Sequence, residues 1–115
     1  MKTLLIGIGG ALGSMARYQL DGWIQTRFGT AFPWGTLAVN VLGCLAAGAV
    51  AAKAEGTLRL FLIPGVLGGF TTFSAFGLET QALLRQGGVG PATAYVALSL
   101  GAGLGAVVLG GALSR

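Results

Sequence analysis

The 115-residue chain is 54% apolar and only 9% charged, with a mean hydropathy of +0.81, whereas a soluble domain averages about a quarter charged residues. Seven basic and three acidic side chains cannot cover a water-exposed surface, so the bilayer is the natural solvent. The basic residues are dispersed at Lys2, Arg17, Arg27, Lys53, Arg59, Arg85 and Arg115, so the net charge of +4 forms no basic run and gives no nucleic-acid footprint.

The hydrophobic positions form long runs separated by short polar or Gly/Pro clusters, the pattern of membrane-spanning helices. Residues 1–115 read as one all-α membrane domain with spans at about 3–24, 34–53, 58–85 and 91–113. The N-terminal run passes into Arg17-Tyr18 without a clear small-residue cleavage site, so it reads as the first span and not as a signal peptide. On that span Arg17 and Asp21 stand at i and i+4, a spacing that allows an ion pair. Gly9 and Gly13 make a small-xxx-small pattern suited to close helix packing. The Gly9-Gly10-x-x-Gly13 cluster lacks the preceding strand and full spacing of a nucleotide loop.

In the second span Thr36 and Asn40 share one helix face. Both can serve as interhelical hydrogen-bond glue or line a polar track. The Asn40 amide supplies two donors without adding charge. Cys44 is the single cysteine and has no partner for an intrachain disulfide.

The third segment is too long for a straight span. Its roughly 28 residues at 1.5 Å each would measure about 42 Å, against a hydrocarbon core of about 30 Å. Its centre runs Gly65-Val-Leu-Gly68-Gly69-Phe70-Thr71-Thr72-Phe73-Ser74, where paired glycines and then hydroxyls suit a backbone that breaks and restarts. Broken backbone at membrane depth survives where protein or a water-filled site satisfies it, and such breaks mark ion sites. A packing kink fits the same letters. Phe73 and Phe76 follow at once, and ring edges carry partial positive charge, so an anion could be met there without a fixed cation. Lipid-facing or core packing is the plainer use of such a pair. Glu79 lies three residues beyond Phe76; a buried glutamate could relay protons or neutralise an arginine, and a structural polar partner is the plainer use.

The fourth span carries Tyr95 and Ser99 on one face, continued by Gly103, and a second small-xxx-small pair at Gly101 and Gly105. Four spans place both termini on one side. Lys2, Lys53, Arg59 and Arg115 then oppose Arg17, Arg27 and Arg85. This near-balance cancels the bias that normally fixes orientation. Insertion in both orientations fits it, and so does a topology decided by two or three well-placed charges.

Three blocks resemble the Fluc family of small fluoride channels, also called CrcB proteins: Gly9-Gly10-x-x-Gly13-x-x-x-Arg17-Tyr18, Gly35-Thr36-Leu37-x-Val39-Asn40-x-x-Gly43, and Gly65-x-x-Gly68-Gly69-Phe70-Thr71-Thr72-Phe73-Ser74-x-Phe76-x-x-Glu79. They occur one per span in family order, and the third is highly specific. Residue 75, often threonine in that family, is alanine here, which trims one polar contact. The resemblance implies a dual-topology antiparallel homodimer in the cell inner (plasma) membrane that passively exports fluoride through pores at the dimer interface. It assigns the pore to Asn40, Phe73 and Phe76, with Thr36, Ser74, Tyr95 and Ser99 as polar-track groups. It also implies a structural Na+ at the dimer centre, held by the main-chain carbonyls of Gly68 and Thr71.

Enzyme chemistry finds no support, since there is no histidine, one cysteine and three scattered acids. A small multidrug antiporter would need an embedded carboxylate in the first span, which offers only Asp21 near its end. A non-transporting assembly protein would leave Asn40 and the phenylalanines without a task.

Overall fold

The computed structural model describes all 115 residues and is entirely helical. Helix α1 covers Lys2–Phe28 and α2 covers Trp34–Lys53. A third rod begins as α3 (Gly56–Leu60), continues through a π-helical stretch (Phe61–Leu67) and ends as α4 (Gly68–Phe70). After two extended residues come α5 (Phe73–Arg85) and α6 (Val89–Ser114). The segment expected at 58–85 is therefore two helical pieces, parted at Thr71-Thr72. Pro64 lies inside the π-helical stretch. Proline removes an amide and crowds the preceding turn of an α-helix, and the wider π turn accommodates both effects.

Three segments, Trp34–Lys53, Gly56–Arg85 and Val89–Ser114, are long and apolar enough to cross a membrane. The long axis of 46 Å matches a bilayer of about 40–45 Å including its headgroups. Only 17 of 115 residues are buried, while leucines and valines along α6 point outward, as expected of a multi-pass protein whose solvent is lipid.

The helices meet backbone to backbone. Helix α2 packs chiefly along α6, and α1 chiefly along the π-helical stretch. A Cβ on Gly13 would run into the Val66 carbonyl oxygen, and one on Gly9 would lie 2.7 Å from the Phe61 carbonyl oxygen. On the other side, Gly48 faces the Val107 carbonyl, and Gly110 faces that of Leu45. Gly9 and Gly13 thus pack as their spacing suggests. Gly101 and Gly105 do not: both face open space, and the packing positions of α6 are Gly103, Gly110 and Gly111. The face of α6 that meets α2 is a different one, and its glycines do not follow the i, i+4 spacing.

The turns are short and held by side chains. Gly29 closes α1 at φ 88°. Gln25 gathers the following loop by donating to the carbonyls of Gly29 and Phe32 and accepting from the Gly35 amide.

Candidate ion site at the helix break

Helix α4 ends at Phe70, and Thr71 (φ −87°, ψ 157°) and Thr72 (φ −149°, ψ 119°) are extended. A chain leaving a helix strands its last carbonyls, and a chain starting one strands its first amides. Asn40 of α2 meets the extended stretch as a neighbouring strand would. Its Nδ2 donates to the Thr72 carbonyl at 2.9 Å, and its Oδ1 accepts from the Thr72 amide at 2.8 Å. Thr72 then caps α5 by accepting from the Ala75 amide at 3.1 Å.

On the opposite side, the Gly69 carbonyl accepts from Arg17 Nε at 3.1 Å and from Ser14 Oγ at 3.4 Å. Arg17 therefore does not pair with Asp21. The Asp21 carboxylate instead lies against the backbone of Gly35. Spacing along α1 favoured the pair, but the orphaned carbonyl beside Arg17 offers the closer partner. The carbonyls of Gly68, Phe70 and Thr71 receive no hydrogen bond across the break. Gly68 and Thr71, the two positions singled out for a cation, both lie here.

Alongside the break runs a groove of about 400 Å³ whose lining includes Asn40, Thr71, Thr72, Phe73, Phe76 and Ser99. The Ser99 hydroxyl is buried with no hydrogen-bond partner. The Phe73 and Phe76 rings lie 5.5 Å apart and tilted, and Phe73 is 80% exposed. Ser74 lies outside this groove, with its hydroxyl 3.3 Å from that of Thr72.

One turn beyond Phe76, Glu79 collects a second polar cluster. Thr36 Oγ1 donates to its Oε2 at 2.9 Å, and the Tyr95 hydroxyl donates to its Oε1 at 3.0 Å. Thr36 and Tyr95 are the most deeply buried polar side chains of the fold, at 2% and 0% exposure. The Phe76 ring, 5.1 Å from that of Tyr95, joins this cluster to the groove. Past Glu79 opens a polar cavity of about 360 Å³ lined by Asp21, Gln25 and Gln86 among others. The expected residues thus fall into two groups: Asn40, Phe73 and Ser99 at the groove, Thr36 and Tyr95 around Glu79, with Phe76 touching both.

Sequence reasoning missed Arg17 as a partner of the break; it expected Glu79 to be a structural polar partner, as the structure shows, but not which side chains it holds. The signal for Arg17 was available, because a helix that ends inside a membrane needs a donor for its last carbonyls. Nothing in the linear spacing of α2, α5 and α6 announced that Thr36 and Tyr95 converge on one carboxylate.

The groove wall is mostly aliphatic, with Ile63, Leu67, Leu100 and Leu104 among its side chains; set into it are the hydroxyls of Thr71, Thr72 and Ser99, the Asn40 amide and the Phe73 and Phe76 rings, without lysine, arginine or a carboxylate. The family model described as CrcB-like protein, Camphor Resistance (CrcB), matches residues 4–111. The chain belongs to the CrcB family. Among similar CrcB-family proteins is the fluoride-specific ion channel FluC of Rhizobium johnstonii, 45% identical over 121 residues that cover all of this chain and 97% of the relative. FluC of Thermus thermophilus is 49% identical over 95% of this chain and 90% of its own length. FluC of Chloroflexus aurantiacus is 44% identical over 99% and 95%. The CrcB match thus takes in the break, the groove and the Glu79 cluster together.

Proposed function

We propose that the chain is a fluoride-selective channel of the cell inner membrane, in which two antiparallel copies form pores at their interface and fluoride leaves passively. The relatives are named as ion channels and not as enzymes, and the chain carries no constellation for covalent chemistry. In this reading α1 is a fourth span, and the near-balance of basic residues lets the chain insert both ways.

The observation that carries the reading is the groove beside Asn40, where a few polar groups and two aromatic rings meet in an otherwise apolar wall with no fixed cation. Fluoride is small and tightly hydrated, so a pore must replace its water with close donors yet hold it weakly enough to let it go. One N–H of Asn40 is spent on Thr72, and the amide carries a second. The unpartnered Ser99 hydroxyl supplies another donor, and the edges of Phe73 and Phe76 supply partial positive charge. Thr36 and Tyr95 hold Glu79 in place at the far end of this row. Ser74 serves the track through Thr72. An arginine in the groove would trap the ion; neutral donors pass it on. The strong exposure of Phe73 on a single copy supports a second copy that covers it.

The donor set also suits a structural sodium ion between two copies. The Gly68 and Thr71 carbonyls are unclaimed hard oxygen donors at a broken helix end, the kind of group that holds Na+ in other membrane proteins. Bound there, sodium would balance the carbonyl dipoles.

Purified protein in liposomes, loaded separately with fluoride, chloride or a cationic dye, tests the function. Rapid efflux of fluoride alone is expected, and Phe76→Ile abolishes it while the dimer persists on size-exclusion chromatography. Proton-coupled movement of the dye, or vesicles no leakier to fluoride than empty ones, refutes the proposal.

A further inference from the structure

We propose that Arg17 is a positioning residue that decides which carbonyl oxygens of the broken helix are open to a cation, and so sets the preference for sodium over potassium; this rests on the sodium reading above. The successive carbonyls from Gly68 to Thr72 span the break. Asn40 occupies that of Thr72, while Arg17 and Ser14 occupy that of Gly69. Those of Gly68, Phe70 and Thr71 are left.

The hold on Gly69 is firm because α1 is pressed against it. A Cβ on Gly69 would lie 2.9 Å from the Gly10 Cα, and Ser14 and Arg17 reach the same carbonyl from the next turn of α1. The guanidinium is a fixed cation at a helix C-terminus, where it complements the helix dipole. Its planar array of donors fixes direction as well as charge.

Discrimination among monovalent cations depends on the number of coordinating carbonyls and on how freely they move. Without Arg17 the Gly69 oxygen keeps only the longer bond from Ser14, which a cation can displace, and the chain carrying its neighbours loses its charged anchor. More oxygens in a looser array accept a larger ion. The variant therefore loses discrimination before it loses the fold.

The test is the melting temperature of the purified protein in equal concentrations of sodium, potassium and N-methylglucamine chloride, a readout that does not depend on flux. The wild-type protein melts higher in sodium than in potassium. In Arg17→Gln this sodium–potassium gap shrinks by roughly half or more, and in Ser14→Ala, which keeps the guanidinium, it shrinks less. A fall of equal size in all three salts means that Arg17 only braces the fold and overturns the inference. If Arg17→Gln yields no folded protein, Ser14→Ala decides alone: an undiminished gap overturns the inference. A wild-type protein indifferent to sodium overturns the sodium reading itself, and this inference falls with it.

Discussion

Replacing Asn40 by leucine keeps a side chain of similar size on α2 but removes both hydrogen bonds to Thr72. The Thr72 amide and carbonyl, held at 2.8 and 2.9 Å, are then left without partners at membrane depth. Each orphaned group costs about 1–3 kcal/mol, so the extended stretch loses about 2–6 kcal/mol of local stability. Since about 1.4 kcal/mol is a factor of ten, the Thr72 amide should exchange with deuterium at least ~30-fold faster. Thr72 also caps α5, so the loss displaces Phe73 and Phe76, and fluoride efflux should fall by on the order of tenfold or more. Asn40→Asp separates the two roles of this side chain. It keeps an acceptor for the Thr72 amide, so protection of that amide persists, while a negative charge in the groove still stops fluoride. Full efflux from Asn40→Leu with the Thr72 amide still protected would refute the reasoning.

Tyr95→Phe removes the hydroxyl that donates to Glu79 and leaves a carboxylate oxygen bare. Chemical denaturation should show a loss of about 1–3 kcal/mol. Thr72→Ala deletes the α5 cap and costs about 1 kcal/mol, read as faster exchange in the first turn of α5 with the remaining helices unchanged. Gly110→Ala drives a methyl into α2, where the Leu45 carbonyl carbon and Ala49 amide lie 3.0 and 3.1 Å from its Cβ. Backbone cannot swing aside, so the melting temperature falls by the equivalent of about 1–3 kcal/mol. Gly7→Ala, with nothing within 4 Å, gains roughly 0.5–1 kcal/mol from helix propensity.

The all-helical fold was legible because apolar runs this long have no other stable use, and the break was legible because glycines and threonines gather in a segment too long to be straight. Its position was less clear. The stretch from Gly65 to Ser74 read as the weak point, and within it the chain stays helical through the glycines and opens at the hydroxyls Thr71-Thr72, because Gly65 and Gly69 are used for contact with α1. Thr36 and Asn40 share a face of α2, but they serve different partners one turn apart, Glu79 and Thr72. Tertiary neighbours decide this, and spacing along one helix does not contain them. The Gly101/Gly105 pair failed for a related reason: a small-residue pattern says that a face can pack, not which face has a neighbour within the chain.

The π-helical turn around Pro64 follows α3 and includes Gly65, one of the glycines that touch α1. A turn of that kind is wider than its α-helical neighbours, so it behaves as an insertion already absorbed into a helix. Because α1 grips this stretch backbone to backbone, the extra width is held in place and sets the phase of the break relative to Asn40 and Arg17. That stretch is thus a register mark: rewinding it as a plain α-helix would turn the Gly69 carbonyl away from Arg17.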